Sequence, residues 1–122
     1  MIAHIVLFNP KPTLSETSIL SFSQSVRLAL STIPTIKRAQ IGRRIRVDAG
    51  YDRSFGDKTY EYSTIIEFAD RTALVQYLNH PLHQQLGRLF WENCESTVIS
   101  EVELVEASDD EGLTDLVRRP QD

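Results

Sequence analysis

The segment from Ile2 to Phe8 is rich in β-branched and aromatic residues, and a single polar residue, His4, interrupts it. Successive side chains of a strand point to opposite faces, so residues 2, 4, 6 and 8 share one face and residues 3, 5 and 7 the other. Both faces are apolar apart from His4, whereas a strand with one face in water alternates apolar and polar residues. The segment therefore predicts a central strand covered on both sides, with one histidine buried among apolar side chains.

The rest of the chain shows a regular alternation of strand and helix patterns. A Ser/Thr-x-x-Glu capping pattern at residues 13–16 predicts the start of a helix that ends near residue 31. Further strands are predicted at residues 36–47, 59–68 and 96–105, a hairpin connection at residues 48–58, and helices at residues 71–78 and 81–95. With the last two helices counted as one helical unit, this is a β-α-β-β-α-β order. It predicts an α+β, ferredoxin-like fold, in which a four-stranded antiparallel sheet carries its helices on one side.

The apolar first strand also bears on assembly, because the helices of such a fold cover only one face of the sheet. Ala3, Ile5 and Leu7 would face water in a monomer. The simplest cover is the sheet of a second copy, since two sheets related by a two-fold axis can pair into a barrel. We therefore expect a homodimer, a dimeric α/β barrel formed through the open sheet face. The alternative is that these side chains are tolerated in water.

Length and charge define the expected domain organisation. The chain of 122 residues suits one domain, and its net charge of −4 arises from residues 106–122, which hold six acidic and two basic residues. Residues 1–105 hold equal numbers of each. We expect a folded domain at residues 1–105 and a flexible acidic tail at residues 106–122, because the tail has little apolar surface to bury. The alternative is an arm that docks on a partner through Leu113, Leu116 and Val117.

Composition also limits the expected partners and location. No nucleic-acid partner is expected, because proteins that bind nucleic acid without sequence preference present a strongly basic surface, and this chain is acidic. The single Cys excludes an internal disulfide. The N-terminus has no signal-peptide pattern and no apolar run is long enough to span a membrane. We therefore expect a cytoplasmic protein without a membrane partner.

Two of the three histidines, together with one tyrosine, are candidates for chemistry. His4 lies on the face of the first strand that points to the helices, and His83 lies at the edge of the apolar stripe of the helix after Pro81. Gly87, one turn beyond His83, leaves room beside the imidazole. Tyr77 shares the apolar face of the preceding helix, so its hydroxyl points inward. The three side chains can act as an acid/base set, in which an imidazole removes a proton and a second imidazole or the phenol stabilises an enolate oxygen.

Other sites are conceivable on the same residues or elsewhere. The reading of His4, Tyr77 and His83 as ordinary core residues stays open. A zinc site of His80, His83 and His4 lacks a supporting Cys pair or His-Glu-x-x-His pattern, and no cofactor motif is present. Cys94 fits a small core residue better than a nucleophile. The basic residues between positions 36 and 47 indicate an edge strand protected from aggregation, or a patch for an anionic ligand.

Three segments of the chain resemble those of a known family, the stress-responsive α/β-barrel domain or Dabb. The resemblance rests on His-Ile-Val-Leu-Phe at residues 4–8, on Ile33-Pro34 and on Tyr-Leu-Asn-His-Pro-Leu-His at residues 77–83. It covers residues 1–105 and implies a ferredoxin-like fold and a homodimeric barrel. A plant relative, olivetolic acid cyclase, closes a linear polyketide by aldol condensation without a cofactor. The resemblance places its catalytic histidine at His83, its catalytic tyrosine at Tyr77 and its supporting histidine at His4.

The resemblance implies a site without assigning a reaction. The charged hairpin connection and the acidic tail depart from the relative, which leaves the size and identity of the ligand open. The leading hypothesis is a dimeric protein that binds an apolar, carbonyl-bearing small molecule between sheet and helices. The alternatives are a cofactor-independent cyclase or lyase that uses His/Tyr acid/base chemistry, a cofactor-free monooxygenase-like enzyme, and a structural module associated with stress.

Overall fold

A computed structural model describes residues 1–48 and 58–118 of the chain. It contains four strands and four helices in the described ranges. In chain order they are β1 (Ile2–Pro10), α1 (Glu16–Thr32), β2 (Arg38–Arg43), β3 (Tyr62–Phe68), α2 (Arg71–Leu78), α3 (Pro81–Asn93), β4 (Cys94–Glu103) and α4 (Asp110–Arg118). No helix in these ranges is both long and apolar enough to cross a membrane.

The strands form one antiparallel sheet in the order β2-β3-β1-β4, so β1 is central and pairs with β3 and β4. His4 lies opposite Ile66 on β3 and Glu101 on β4. This is the predicted ferredoxin-like arrangement, and the prediction is confirmed. The register fixes which side chains share each face of the sheet, because faces alternate residue by residue.

The core lies between the sheet and the helices. Its most completely buried large side chains are Ile66 and Phe68 of β3 and Tyr77 of α2. Val26 and Ala29 of α1 and Leu86 of α3 pack against the same cluster, and so does Ile33 just beyond α1. A second cluster around Phe8 packs β1 against α1 and α3. The helix-facing side of β1 is thus buried by the apolar faces of three helices.

The opposite face of the sheet carries no helix from the predicted domain. Its apolar residues include Leu7, Ile65 and Val98, whose exposed fractions are 36%, 41% and 42%. They lie on adjacent strands, since Leu7 pairs with Val98 and Ile5 pairs with Ile65. Leu7 is exposed as predicted, whereas Ala3 is 2% exposed and Ile5 is half-buried, so the prediction that all three face water in a monomer is wrong for Ala3. The apolar surface of this face is therefore centred on Leu7, Ile65 and Val98.

Most element boundaries differ from prediction by a few residues. Helix α1 is capped by Ser15, whose hydroxyl accepts from the Ser18 N–H at 3.1 Å, rather than by the predicted pattern at residues 13–16. Strands β2 and β3 are shorter than predicted because their regular ladder ends at Arg43 and Tyr62, with one further backbone hydrogen bond from the Arg44 N–H to the Glu61 carbonyl at 2.7 Å. The predicted hairpin connection falls mostly on residues 49–57, which lie outside the described residues.

The C-terminal segment contains a helix that the sequence analysis does not predict. In α4 the Asp109 carboxylate accepts from the Gly112 N–H at 3.0 Å, and Asp110 and Glu111 lie in the first turn, where acidic residues favour a helix. None of its residues is buried. The division of the chain at residue 105 and the flexibility of the tail remain predictions.

Candidate functional site

An apolar cavity of about 190 Å³ lies between the helix-facing side of the sheet and helix α3. Its walls come from β1, β3 and β4 on one side and from α1, α2 and α3 on the other. Aliphatic and aromatic side chains dominate the lining, which includes Val6, Val26, Ile66, Leu86, Phe90 and Ile99. We call it the His/Tyr cavity, because the polar rings that line it are those of His4, Tyr77 and His83.

These three rings, predicted from the sequence as a possible acid/base set, converge in the structure. The ring centroids of Tyr77 and His83 are 4.6 Å apart, those of His4 and Tyr77 5.5 Å, and those of His4 and His83 6.3 Å. Tyr77 and His4 are almost completely buried, and His83 is half-buried. A ligand in the cavity can therefore meet all three polar groups at once.

Local sequence signals explain how the rings are brought together. Asp70 caps α2 by accepting from the Ala73 N–H at 2.8 Å, which sets the helix so that Tyr77, two turns on, faces the sheet. His80 then caps α3, since its Nδ1 accepts from the Leu82 N–H at 3.1 Å. Pro81 occupies the first position of α3, where a missing N–H costs nothing. The resulting break places His83 in the first turn of α3, beside Tyr77.

The hydrogen bond of His83 defines its tautomer. Its Nδ1 lies 3.0 Å from the carbonyl oxygen of Leu78, which can only accept, so Nδ1 carries the hydrogen and Nε2 keeps its lone pair. Burial lowers the pKa of His83 below its usual 6.5, the Leu78 hydrogen bond opposes that shift, and the nearby His4 adds to it. At neutral pH the ring is therefore neutral, and Nε2 is available as a base.

Tyr77 has the complementary property. Burial raises its pKa to about 12, so the phenol keeps its proton at neutral pH. Its hydroxyl has no hydrogen-bond partner among residues 1–48 and 58–118. Buried tyrosine hydroxyls usually have a partner, and a hydroxyl that lines a cavity without one is ready to donate to a bound acceptor.

Glu101 is a part of the site that the sequence analysis missed. Its Oε1 lies 2.9 Å from Nδ1 of His4, and its own side chain is 43% exposed. As a carboxylate it can only accept, so it holds the hydrogen of His4 on Nδ1 and fixes the orientation of the ring. The pairing of β4 with β1 brings these two residues together across 97 positions of sequence, and no local signal reveals it.

Two residues of α3 shape the mouth of the His/Tyr cavity. A Cβ added at Gly87 would meet no atom within 4 Å, so the space expected beside His83 exists. Trp91, one turn further, lines the cavity although it is 86% exposed. Trp91 is not predicted from the sequence, because the rotation of α3 about its own axis depends on contacts with other elements.

The other candidate residues lie elsewhere. His80 is engaged in capping α3 and does not line the cavity. Cys94 is buried against Phe8 and Val6, in line with a small core residue, and burial raises the pKa of its thiol. Within the described ranges, no three His, Cys, Asp or Glu side chains are grouped as metal ligands.

Comparison with known proteins identifies one family and several solved structures of similar fold. The family model described as Stress responsive A/B Barrel Domain, Dabb, matches residues 2–104. A comparison with curated proteins finds no match.

Solved structures resemble the chain over most of its length. They include a hydroxynitrile lyase from Passiflora edulis (TM-score 0.71, 20% identity, 87% of this chain and 94% of that chain). A Dabb family protein with a ferredoxin-like fold from Mesorhizobium loti gives a TM-score of 0.66 at 23% identity, over 86% and 97% of the two chains. A dimeric ferredoxin-like protein of unknown function from Thermobifida fusca gives 0.65 at 18% identity, over 84% and 90%. At these identities the similarity shows the fold alone.

Proposed function

The chain belongs to the stress responsive A/B barrel domain family, and we propose that it binds an apolar, carbonyl-bearing small molecule in the His/Tyr cavity. The observation that carries this proposal is the convergence of Tyr77, His83 and His4 on an otherwise apolar cavity. Apolar walls bind by excluding water, and a few placed polar groups fix the orientation of a ligand.

The polar groups of the cavity favour a ligand with a hydrogen-bond acceptor. The Tyr77 phenol is a donor at neutral pH because burial raises its pKa to about 12. A carbonyl oxygen is an acceptor that carries little desolvation cost compared with a carboxylate. An engineered cavity of roughly 150 Å³ binds benzene, so in proportion the His/Tyr cavity of about 190 Å³ has room for a ligand of roughly eight non-hydrogen atoms. Acetophenone is close to that size and serves as a probe.

The proposal is tested by the affinity of acetophenone relative to cumene, a hydrocarbon of nearly the same shape. A neutral hydrogen bond contributes about 0.5–1.5 kcal/mol, so acetophenone should bind roughly 2- to 10-fold more tightly. In Tyr77→Phe this preference should disappear, while the affinity for cumene stays the same. Isothermal titration calorimetry measures all four affinities.

Gly87→Leu provides the control for the location of the ligand. The position is on a helix, where leucine is better tolerated than glycine, and the added side chain would extend into open space in the cavity. Binding of both probes should be lost in this variant. Equal affinity of the wild type for acetophenone and cumene, or unchanged binding in Gly87→Leu, would contradict the proposal.

A second candidate function is cofactor-independent acid/base catalysis in the same cavity. It is favoured by the pairing of a neutral imidazole, His83, with a protonated phenol, Tyr77. In the step that we infer, Nε2 of His83 takes a proton from the carbon next to the carbonyl. The electron pair of that C–H bond forms the C=C bond of the enolate, and the π pair of the carbonyl moves to its oxygen. That enolate oxygen accepts a hydrogen bond from Tyr77. A hydroxynitrile lyase with this fold shows that the scaffold can carry an enzyme.

We also propose that the chain forms a homodimer through the open sheet face. The support is the apolar surface formed by Leu7, Ile65 and Val98 on three adjacent strands, which a monomer leaves in water. A structure of the same fold is described as dimeric. A two-fold axis would place this face against itself and bury it.

Ile65→Lys should therefore convert the dimer to a monomer. A lysine left unpaired in an apolar interface costs about 3–5 kcal/mol, which raises the dimer dissociation constant at least about 100-fold. Light scattering over a range of protein concentrations measures the mass. Val75→Lys is the matched control, because Val75 is 47% exposed on α2, away from the sheet. A wild-type protein that stays monomeric at micromolar concentration would refute the dimer.

A further inference from the structure

A second, larger depression lies beside α1 and plays no part in the function proposed above. Its volume is about 390 Å³, roughly twice that of the His/Tyr cavity. Helix α1, the connection from β1 to α1, and residues of β2 and β3 form its walls. We call it the α1 groove, and its apolar lining includes Phe8, Leu14, Ile19, Phe22, Ile41 and Tyr62.

An aromatic partition separates the groove from the His/Tyr cavity. The ring centroids of Phe8 and Phe90 are 4.9 Å apart, those of Phe22 and Phe90 5.1 Å, and those of Phe8 and Phe22 6.1 Å. Phe90 lines the His/Tyr cavity, and Phe8 and Phe22 line the groove. Rings at these distances pack edge to face, and Val26 of α1 lines both sites, so the two lie back to back with this cluster between them. None of the rings of His4, Tyr77 and His83 lines the groove.

The charges at the rim of the groove are of one sign. Lys11 and Arg27 line it, and no acidic residue does so within the described part of the chain. The salt bridges of that part involve neither of these two cations. The floor meanwhile leaves apolar surface in water, since Ile19 is 44% and Ile41 54% exposed. An apolar trough with two cations at its edge is complementary to an amphipathic anion.

We propose that the α1 groove binds an alkyl carboxylate, with its chain on the apolar floor and its carboxylate between Lys11 and Arg27. The chain would bury Ile19 and Ile41, which contributes by the hydrophobic effect, and the guanidinium of Arg27 can hold both carboxylate oxygens. Scaling from the cavity that accepts benzene, the groove has room for roughly a dozen or more non-hydrogen atoms. A saturated acid of about ten carbons matches this size.

Decanoate is the probe, and its binding to the full-length protein is measured by calorimetry beside that of decan-1-ol and decyltrimethylammonium. Decanoate should bind most tightly and the cation most weakly. The double variant Lys11→Gln/Arg27→Gln should raise the Kd of decanoate about tenfold or more and leave that of decan-1-ol unchanged. Lys37→Gln/Arg118→Gln, which removes the same charge from residues that line neither site, should change neither Kd.

Several results would overturn the proposal. Equal affinities for decanoate and decyltrimethylammonium would show that the cations do not recognise the ligand. Loss of decanoate binding in Gly87→Leu would place it in the His/Tyr cavity, whereas retention in that variant separates this site from the function proposed above. If Lys11→Gln/Arg27→Gln changed the mass of the protein in light scattering and not the Kd of decanoate, the groove would be a protein interface.

Discussion

Replacing His83 by alanine is expected to slow the exchange of the α-protons of acetophenone for deuterium by about 10²- to 10⁴-fold, the usual contribution of a general base. The expectation follows from the second candidate function, in which Nε2 of His83 removes the α-proton. The Leu78 carbonyl holds the hydrogen of His83 on Nδ1, so Nε2 is the nitrogen that can act. Proton NMR in D₂O follows the loss of the methyl signal at saturating acetophenone.

The pH dependence of this exchange should follow the protonation state of His83. The pKa of His83 lies below the usual 6.5, so its imidazole is neutral above about pH 6.5. The exchange rate constant, corrected for the uncatalysed reaction, should therefore be constant above about pH 6.5 and decline only at lower pH. Between the lowered pKa of His83 in the native state and its usual value of 6.5 in the unfolded chain, the native state binds fewer protons than the unfolded state. The contribution of His83 to stability is therefore complete above pH 6.5 and is lost as the pH falls below it.

The matched control for this experiment is His80→Asn. Asparagine preserves the cap of α3 that His80 provides, and His80 does not line the cavity, so the exchange rate should stay at the wild-type level. A His83→Ala variant that exchanges as fast as the wild type would remove His83 from the role of base. It would leave the binding proposal standing.

Tyr77→Ala should lower the free energy of unfolding by about 3–5 kcal/mol, the range for truncating a buried aromatic residue. Tyr77 is 1% exposed, and its ring packs against Phe68 at 5.1 Å and His83 at 4.6 Å between centroids. Its removal would leave a void where α2, α3 and the sheet meet. Urea denaturation followed by circular dichroism measures the change.

Tyr77→Phe separates the packing role of this ring from the role of its hydroxyl. The variant keeps the ring and removes a hydroxyl that has no hydrogen-bond partner among the described residues, so stability should change by less than about 1 kcal/mol. The carbonyl preference of the cavity should nevertheless disappear. A Tyr77→Phe variant as unstable as Tyr77→Ala would show that the hydroxyl is bonded in solution and not free to bind a ligand.

The fold could be predicted from the sequence because its main signals are local. The two apolar faces of residues 2–8 identify the central strand, and the break at Pro81 separates α2 from α3. Strand ends were less accurate, since β2 and β3 end where pairing stops, and pairing depends on the partner strand. Helix α4 is not predicted although Asp109 and the acidic first turn are helix-start signals, because a segment with only three large apolar residues among many polar ones indicates a flexible tail.

The site was predictable only in part. His4, Tyr77 and His83 could be proposed from the faces they occupy, since strand and helix periodicity set the direction of a side chain. Glu101 and Trp91 could not, because the register of β4 and the rotation of α3 depend on contacts between distant elements. The α1 groove could not be predicted either, because its walls come from elements that are distant in sequence. An anionic ligand was nevertheless among the possibilities for the basic residues between positions 36 and 47, and the ligand proposed for the groove is also an anion.

The central claim is that the Tyr77 phenol donates a hydrogen bond to the carbonyl oxygen of a ligand in the His/Tyr cavity. It is tested most directly by the ¹³C resonance of acetophenone labelled at its carbonyl carbon. When the Tyr77 phenol donates to the carbonyl oxygen, the resonance of the bound ligand moves downfield from its position in an apolar solvent. We expect this shift in the wild type, its loss in Tyr77→Phe, and nuclear Overhauser contacts from the ligand to the Tyr77 and His83 rings. A bound resonance unchanged by Tyr77→Phe, with no contact to either ring, would contradict it.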